Sequence, residues 1–174
     1  GGSYDSKTGI LDLTIPCHDI FGAEGLGGST FTVVLGAPYN VNWEHYVAYP
    51  DSGPGSADRN GTVSGEDPDI HINLGDTLVI DLSTIAYVGS TPINAYVDNS
   101  PLWIKYGPAS YSGDTGTDNA VGTGADASNN PTATNNGVSK TTDITWTPTT
   151  AGTYYYQQEE NNMWGKIIVT DVSP

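Results

Sequence analysis

The sequence contains a single cysteine, Cys17, so no disulfide can form within the chain. It has five lysine and arginine residues against twenty aspartate and glutamate residues, and its net charge is −15. A phosphate backbone would repel such a chain, and so would an anionic membrane surface. No apolar run reaches about 18 residues, the length that a membrane-spanning helix needs. These absences exclude an internal disulfide scaffold and a helical membrane span, and they argue against nucleic acid as a partner.

The sequence has no initiator methionine and no hydrophobic N-terminal segment, and it opens with Gly1-Gly2-Ser3. We interpret this opening as a mature or trimmed N-terminus. The scarcity of lysine and arginine, the abundance of threonine, asparagine and glycine, and the triplet Asn60-Gly61-Thr62 fit secretion, with Asn60 as a candidate for glycosylation. We therefore predict an extracellular or cell-surface protein. Cys17 is either a buried thiol or a residue that pairs with another chain.

Glycine and proline are abundant, at 22 and 11 residues, and β-branched and aromatic residues mark the ordered segments. No window has apolar residues at i, i+3, i+4 and i+7 over several turns, so amphipathic helices are not predicted. This composition is typical of short strands joined by turns. About nine or ten strands with turn signals between them indicate an all-β fold, which we predict to be an antiparallel Greek-key β-sandwich, with a barrel as the alternative.

Alternation of apolar and polar residues predicts the individual strands. Residues 70–74 and 77–82 alternate on either side of the turn Gly75-Asp76, which predicts a β-hairpin. In residues 141–147, Ile144 and Trp146 share one face. Further strands are predicted at residues 9–16, 30–35, 42–49, 93–98, 102–106, 153–156 and 166–170.

The chain divides into two parts at a glycine-rich joint in residues 22–29. Residues 1–27 are predicted to form an N-terminal arm, and residues 28–174 are predicted to form the main domain. Two polar segments, 50–68 and 107–138, have almost no large apolar residues and are predicted to be loops inserted into that domain.

The C-terminal third carries a recognisable pattern. Ala151-Gly152-Thr153-Tyr154-Tyr155-Tyr156 is followed by a short loop and then by Met163-Trp164-Gly165-Lys166-Ile167-Ile168-Val169. This pattern resembles the end of a cupredoxin, the family of the blue copper proteins. Ser100-Pro101-Leu102-Trp103-Ile104-Lys105 resembles the segment after that family's first histidine ligand, and Leu74-Gly75-Asp76-Thr77 resembles the preceding hairpin. The resemblance covers roughly residues 30–174 and implies a cupredoxin-like sandwich.

The copper site of that family uses two histidines, a cysteine thiolate and a weak axial methionine. Carried over by position, the histidines fall on Ser100 and Glu160. The cysteine falls on Gln157 and the methionine on Met163. Of the four ligands, only the weak one is present in this sequence.

The register of the ligand loop has one alternative. A shift of one residue would place Gln158 and Asn161 at the positions of the cysteine and the second histidine. Neither register supplies a thiolate or an imidazole, and a lone thioether holds copper poorly. The resemblance therefore implies former copper-ligand positions that polar side chains now fill, and no copper cofactor.

The sequence leaves open the possibility that the protein binds calcium. Aspartate and asparagine residues spaced along the glycine-rich segment 107–138 are oxygen donors of the kind that bind Ca²⁺. The candidate ligands are Asp114, Asp118 and Asp126, and the alternative is a solvated loop. We favour the solvated loop, so no cofactor is predicted.

Catalytic groups are not evident. Glu159 and Glu160 are adjacent, whereas glycosidase chemistry needs two carboxyls that face one substrate. The three histidines, His18, His45 and His71, lack metal-ligand spacing, and no nucleophile or phosphate-binding motif is present. We predict that the protein is not an enzyme.

The N-terminal arm suggests assembly, through the apolar residues Ile10, Leu11, Leu13 and Ile15. This strand either pairs with its own sheet or adds to a sheet edge of a neighbouring copy. Head-to-tail addition that does not close gives a filament. Our leading hypothesis is an extracellular structural protein, a self-assembling filament or surface-layer subunit whose partner is a second copy of the chain.

Two alternatives to the structural hypothesis stay open. One is a metal-binding or electron-transfer cupredoxin with an unconventional site. The other is a glycan- or partner-binding module that uses exposed aromatic side chains such as Trp43 and Trp103.

Overall fold

The computed structural model describes residues 2–5, 10–13, 26–36, 45–49, 55–84, 87–88, 91–92, 101–108, 131–139, 141–158 and 163–173. Within these residues the regular structure is all β-strand, and no helix is long and apolar enough to cross a bilayer. In chain order the strands are β1 Gly2–Asp5, β2 Ile10–Leu13, β3 Thr30–Gly36, β4 Val47–Ala48, β5 Ala57–Asp58, β6 Gly61–Thr62, β7 Gly65–Glu66, β8 Ile70–Asn73, β9 Thr77–Asp81, β10 Tyr87–Val88, β11 Thr91–Pro92, β12 Leu102–Lys105, β13 Ile144–Trp146, β14 Gly152–Gln158 and β15 Trp164–Thr170.

Two sheets make up the body of the protein. One has the strand order β12-β14-β15-β8 and the other has the order β13-β9-β3-β4-β7. The chain crosses from one sheet to the other between β8 and β9 and again between β13 and β14, as in Greek-key sandwiches. The predicted all-β sandwich is confirmed. Its sheets are mixed, however, because β15 pairs with β8 and β3 pairs with β9 in parallel. Alternation in the sequence does not reveal strand direction, since it is the same in both kinds of pair.

The core lies between the two sheets and takes every second residue from each. In β13, Ile144 and Trp146 are buried and Thr145 between them is exposed, as the alternation predicted. Residues of both sheets belong to one contiguous apolar cluster. Its largest fully buried members are Tyr156, Leu35, Ile70, Ile72, Leu78, Ile80, Leu102, Ile104, Ile144, Met163 and Ile167.

The prediction of a hairpin over residues 70–82 is wrong. Strand β8 lies in the four-stranded sheet and β9 lies in the five-stranded sheet, so the turn at Gly75-Asp76 joins the two layers. The amide of Leu74 donates to Thr170 O at 2.8 Å, and the amide of Thr77 donates to Ser29 O at 2.8 Å. Both strands bury alternate residues against one core, so an arch between layers and a hairpin share the same sequence pattern.

The segment 50–68 is not a plain loop in its described part, which corrects the sequence prediction. It contains β5 and β6, which pair with each other, and β7, which pairs with β4. The carboxylate of Asp58 accepts a bond from the amide of His71 at 2.7 Å, so this segment covers the free edge of β8. The hydroxyl of Ser56 accepts a bond from the amide of Val34 at 2.8 Å. Small polar residues here satisfy backbone groups of neighbouring strands.

The end of the second polar segment is also ordered. Residues 131–139, which we call the edge clamp, lie along the outer edges of both sheets. Thr134 exchanges two backbone hydrogen bonds with Thr145 of β13, at 2.9 and 3.2 Å. The side-chain amide of Asn136 accepts from Ile104 N at 2.7 Å and donates to Ile104 O at 3.0 Å, as a neighbouring strand would. The clamp thereby covers one edge of each sheet.

The N-terminal arm forms a two-stranded antiparallel sheet of its own. Strand β1 pairs with β2, with Gly2 opposite Leu13 and Asp5 opposite Ile10. Of the assembly residues, Ile10, Leu11 and Leu13 lie in β2, and Ile15 lies outside the described residues. The sequence offered pairing with the main sheet or with a neighbouring copy, and the described hairpin is a third arrangement.

The joint that follows the arm docks against the sandwich. Gly27 lies so close to the β8–β9 arch that an added Cβ would be 1.8 Å from Leu74 O, so only glycine fits there. Arg59 Nη2 donates to Leu26 O at 2.6 Å. The described part of the joint is therefore fixed to the sandwich. The division at residues 27 and 28 stays a prediction.

Candidate functional site

Two of the four predicted ligand positions, Gln157 and Met163, lie at one pole of the sandwich, where β14 ends and β15 begins. Gln157 and Met163 are described and buried, at 2 and 1% exposed. Ser100 and Glu160 lie outside the described residues, as does Asn161 of the alternative register.

The two glutamines at the end of β14 point to opposite faces of the sheet. Tyr154, Tyr156 and Gln158 take the buried core positions, whereas Gln157 lies on the outer face. The backbone amide of Gln158 donates to Met163 O at 3.0 Å. Gln158 therefore lies directly beside Met163, the one residue that matches a cupredoxin copper ligand. The structure thus places Gln158, the residue of the shifted register, on the core side of the pole.

The side chain of Gln158 is fully buried, and within the described residues neither its Oε1 nor its Nε2 has a hydrogen-bond partner. A buried amide without partners costs about 1–3 kcal/mol. A neutral thiol at this position would incur less of this cost, since its sulfur is a weak hydrogen-bonding group. Within the described residues the pole therefore holds a buried carboxamide whose polar atoms have no hydrogen-bond partner.

Gln157 has a different environment on the outer face. Lys105 Nζ donates to Gln157 Oε1 at 2.9 Å, and Lys105 is 3% exposed. Gln157 lies directly opposite Trp103 of β12 and Trp164 of β15. The contact therefore sits in the middle of a layer of aromatic side chains.

A second polar cluster supports the pole from the five-stranded sheet. His45 Nδ1 bonds to Asp67 Oδ2, and the amide of Tyr46 donates to Asp67 Oδ1 at 2.8 Å. The ring of Tyr46 meets that of Tyr156 edge to face, with centroids 5.9 Å apart. The hydroxyl of Tyr156 donates to Pro68 O at 2.8 Å. These contacts fix β4 and β7 against β14.

Ionisation of Tyr46, Tyr156 and Asp67 is disfavoured in this cluster. Burial raises the pKa of both Tyr46 and Tyr156 far above the ordinary value, and the charge of Asp67 adds to the effect. Burial also raises the pKa of Asp67, and the hydrogen bonds from His45 and Tyr46 only partly offset the effect. The tyrosines therefore act as neutral hydrogen-bonding and packing groups.

The described donor set does not fit the copper site of the family that the sequence resembles. A blue copper site needs a thiolate and imidazoles. The described residues of the pole supply a thioether from Met163 and two carboxamides. Within the described part of the chain, no group of three histidine, cysteine, aspartate or glutamate side chains could hold a metal ion.

Most of the other candidate residues from the sequence lie outside the part of the chain that the structure describes. Asp114, Asp118, Asp126, Cys17 and Trp43 lie outside the described residues. Asn60 is exposed in the turn between β5 and β6. An added Cβ on Gly137 would be 2.0 Å from Trp103, so the edge clamp covers part of that ring. A groove of about 370 Å³ lies at the opposite end of β15, between the glycine joint and Asp171, and is remote from the pole.

Two features of the site were not predicted from the sequence, namely the burial of Lys105 and the pairing of His45 with Asp67. Lys105 belongs to the segment Ser100–Lys105 that resembles the cupredoxin pattern, but a lysine in a strand is ordinarily exposed. His45 and Asp67 are 22 residues apart and meet only because β4 and β7 pair.

Comparisons with known proteins place this geometry in context. No protein-family model matches the chain, and no curated protein matches it. Among solved structures, rusticyanin from Thiobacillus ferrooxidans is 18% identical, with 83% of this chain and 79% of that chain covered and a TM-score of 0.37. Reduced rusticyanin is 17% identical over 83 and 81% of the two chains, with a TM-score of 0.37. A histidine-to-methionine variant of rusticyanin is 17% identical over 91 and 95%, with a TM-score of 0.38.

Rusticyanin is a copper protein. Identities and TM-scores of this size carry no argument about the function of the present chain. The assignment of the fold as an all-β sandwich rests on the strand pairing and the shared core.

Proposed function

We propose that the protein is a non-enzymatic, extracellular structural subunit with a cupredoxin-like sandwich, which assembles with copies of itself through its N-terminal arm. The observation that carries this proposal is that β1 and β2 pair with each other and belong to neither sheet of the sandwich. The arm is therefore an element separate from the sandwich sheets.

Contact with a partner would stabilise the arm. A two-stranded hairpin is only marginally stable in water by itself. Strand β2 places Ile10, Leu11 and Leu13 within four residues. Burial of one such side chain is worth about 1.5–3 kcal/mol, so contact with a second copy would stabilise the hairpin.

The sandwich offers little edge for strand addition. The edge clamp covers β12 and β13, and the segment around β5 covers β8. The remaining outer strand, β7, is two residues long. Within the described residues the arm is the longer available edge, which favours addition between the arms of two copies.

The proposal is tested by deletion of residues 1–16, followed by sedimentation velocity and negative-stain electron microscopy. We expect the full chain to form polymers and the deletion variant to be a folded monomer, because the docked joint at Leu26 and Gly27 is retained. Polymers of unchanged size after the deletion would contradict the proposal, as would a full chain that stays monomeric at all concentrations.

Two matched variants test whether assembly depends on apolar contacts of β2 or on its charge. Leu11→Asn with Leu13→Asn should abolish assembly, because both leucines fall on one face of an alternating strand. Asp12→Asn, between them, should leave assembly intact. Circular dichroism of both variants controls for the fold of the sandwich.

The alternative functions have less support. A blue copper site lacks its thiolate and imidazoles among the described residues, and addition of Cu²⁺ with a visible spectrum tests this directly. A glycan platform would need an open aromatic face, and the edge clamp covers part of Trp103. Neither a catalytic group nor calcium is needed by the proposal.

A further inference from the structure

Lys105 and Gln157 form a buried contact on the outer face of the four-stranded sheet. Lys105 is 3% exposed and Gln157 is 2% exposed, and the distance from Nζ to Oε1 is 2.9 Å. Lysine is almost never fully buried in proteins unless it is paired. The contact joins two neighbouring antiparallel strands, β12 and β14, at positions 52 residues apart in the sequence.

Half-buried aromatic residues flank this contact. Trp103 and Trp164 lie directly opposite Gln157 on the two flanking strands, and Tyr155 lies directly opposite Lys105. The rings of Tyr155 and Trp164 meet edge to face, with centroids 5.6 Å apart. The neutral amine is the nucleophilic form of a lysine side chain.

We propose that the Lys105 amine and the Gln157 carboxamide react to form an intramolecular isopeptide bond. Nζ attacks Cδ of Gln157, the new Nζ–Cδ bond forms, and the Cδ–Nε2 bond breaks. The amide nitrogen leaves as ammonia and takes the proton that the lysine ammonium gives up, so the products are a secondary amide and an ammonium ion. The step needs no oxidant, reductant or second substrate.

The structure supplies what the reaction requires. The carboxamide carbon is one C=O bond, about 1.2 Å, from the oxygen that Nζ already contacts. Holding two reactants in such proximity replaces a bimolecular encounter by an intramolecular one. The burial of both groups keeps water from competing for the carbonyl carbon. The product replaces a buried ammonium by a neutral amide and releases the charge to solvent as ammonium.

The inference is independent of assembly by the arm. The bond would lock β12 to β14 next to the pole, in the monomer and in a polymer alike. It would also tie the strand of Lys105 to the last hairpin of the fold, which the chain itself joins only through residues 106–156.

The experiment is intact-mass spectrometry of the full chain, followed by peptide mapping under denaturing conditions. We expect a loss of one ammonia, about 17 Da, and a branched peptide that joins the segments containing Lys105 and Gln157. The branched peptide is decisive because succinimide formation at Asn60-Gly61 or Asn136-Gly137 would cause the same mass loss without a branch.

Two substitutions complete the test. Lys105→Arg should have the full mass, whereas Lys166→Arg should retain the loss, because Lys166 is exposed on the same face opposite Tyr155. A full-length chain at the unmodified mass, or a mass loss that persists in Lys105→Arg, overturns the proposal. If Lys105→Arg does not fold, the branched peptide of the unaltered chain decides alone, and its absence overturns the proposal.

Discussion

Asp76 holds three segments of the protein together, and its replacement by alanine should be strongly destabilising. Its Oδ1 accepts bonds from Ser29 N at 2.9 Å and Arg59 Nη2 at 2.6 Å. Its Oδ2 accepts bonds from Asn73 N at 2.7 Å and Arg59 Nε at 2.8 Å. The residue is 0% exposed, and the Arg59 guanidinium also lies 5.1 Å from the centre of the Phe31 ring. The carboxylate thus joins the arm's joint, the β5–β6 turn and the β8–β9 arch.

The magnitude follows from what Asp76→Ala leaves behind. Removal of one partner of a buried ion pair costs about 3–5 kcal/mol, because the other charge stays in a poorly solvated site. Two backbone amides also lose their acceptors, and water can reach the site only partly. With a slope of about 2 kcal/mol per molar urea, a loss of about 4 kcal/mol moves the unfolding midpoint down by about 2 M.

Urea unfolding monitored by tryptophan fluorescence measures this shift. Asp171→Asn is the control, since Asp171 is exposed and bonds only locally, to Ser173 N at 2.9 Å, and its midpoint should not move. A midpoint shift for Asp76→Ala as small as that of the control would refute the reasoning.

The same variant has a pH signature. Burial alone would raise the pKa of Asp76, but hydrogen bonds from Arg59, Asn73 and Ser29 outweigh it and lower the pKa below the ordinary value. A carboxyl with a lowered pKa contributes stability that is present above its unfolded pKa, about 3.9, and is lost as the pH falls through its folded pKa. The difference in stability between the unaltered chain and Asp76→Ala should therefore shrink below about pH 4.

Two further predictions concern the pole. Gly165→Ala should cost about 1–3 kcal/mol in urea unfolding, because the new Cβ would lie 2.1 Å from the hydroxyl of the buried Tyr156. Gly107→Ala, where an added Cβ meets nothing within 4 Å, should be neutral, and equal effects of the two substitutions would contradict the packing argument. The pKa of Asp67 is raised, so its contribution to stability is present below its unfolded pKa and is lost as the pH rises through the folded one. The stability of Asp67→Asn relative to the unaltered chain should therefore increase as the pH rises from the unfolded pKa, about 3.9, through the folded one, and a constant difference would count against the shift.

Alternation was enough to find the buried faces of single strands but not to assign strands to sheets. Ile144 and Trp146 lie inward as predicted. The segments 70–73 and 77–81 also alternate as predicted, yet they belong to opposite layers. A turn that closes a hairpin and a turn that crosses the core join the same local patterns, so only the pairing partners elsewhere in the chain decide between them.

The prediction of the site was incomplete for a similar reason. Three consecutive tyrosines, Tyr154 to Tyr156, hide which parity of β14 faces the core, so the sequence could not choose between Gln157 and Gln158. Tyr154 and Tyr156 are buried in the structure, and Gln158 lies two residues further along β14, so it faces the core on the same side of the strand. The environment of Lys105 depends on aromatic residues contributed by β14 and β15, and no local pattern around β12 reports them.

The close approach of Gly27 to Leu74 has a consequence for the geometry of any assembly. This contact fixes the point from which the arm departs, and twelve residues, 14–25, separate the end of β2 from Leu26. Twelve residues span at most about 40 Å when fully extended. A neighbour whose arm receives β2 must therefore present that arm within this radius of the β8–β9 arch. Because the neighbour's arm is tethered in the same way, the two tethers together set an upper limit on the distance between successive sandwiches.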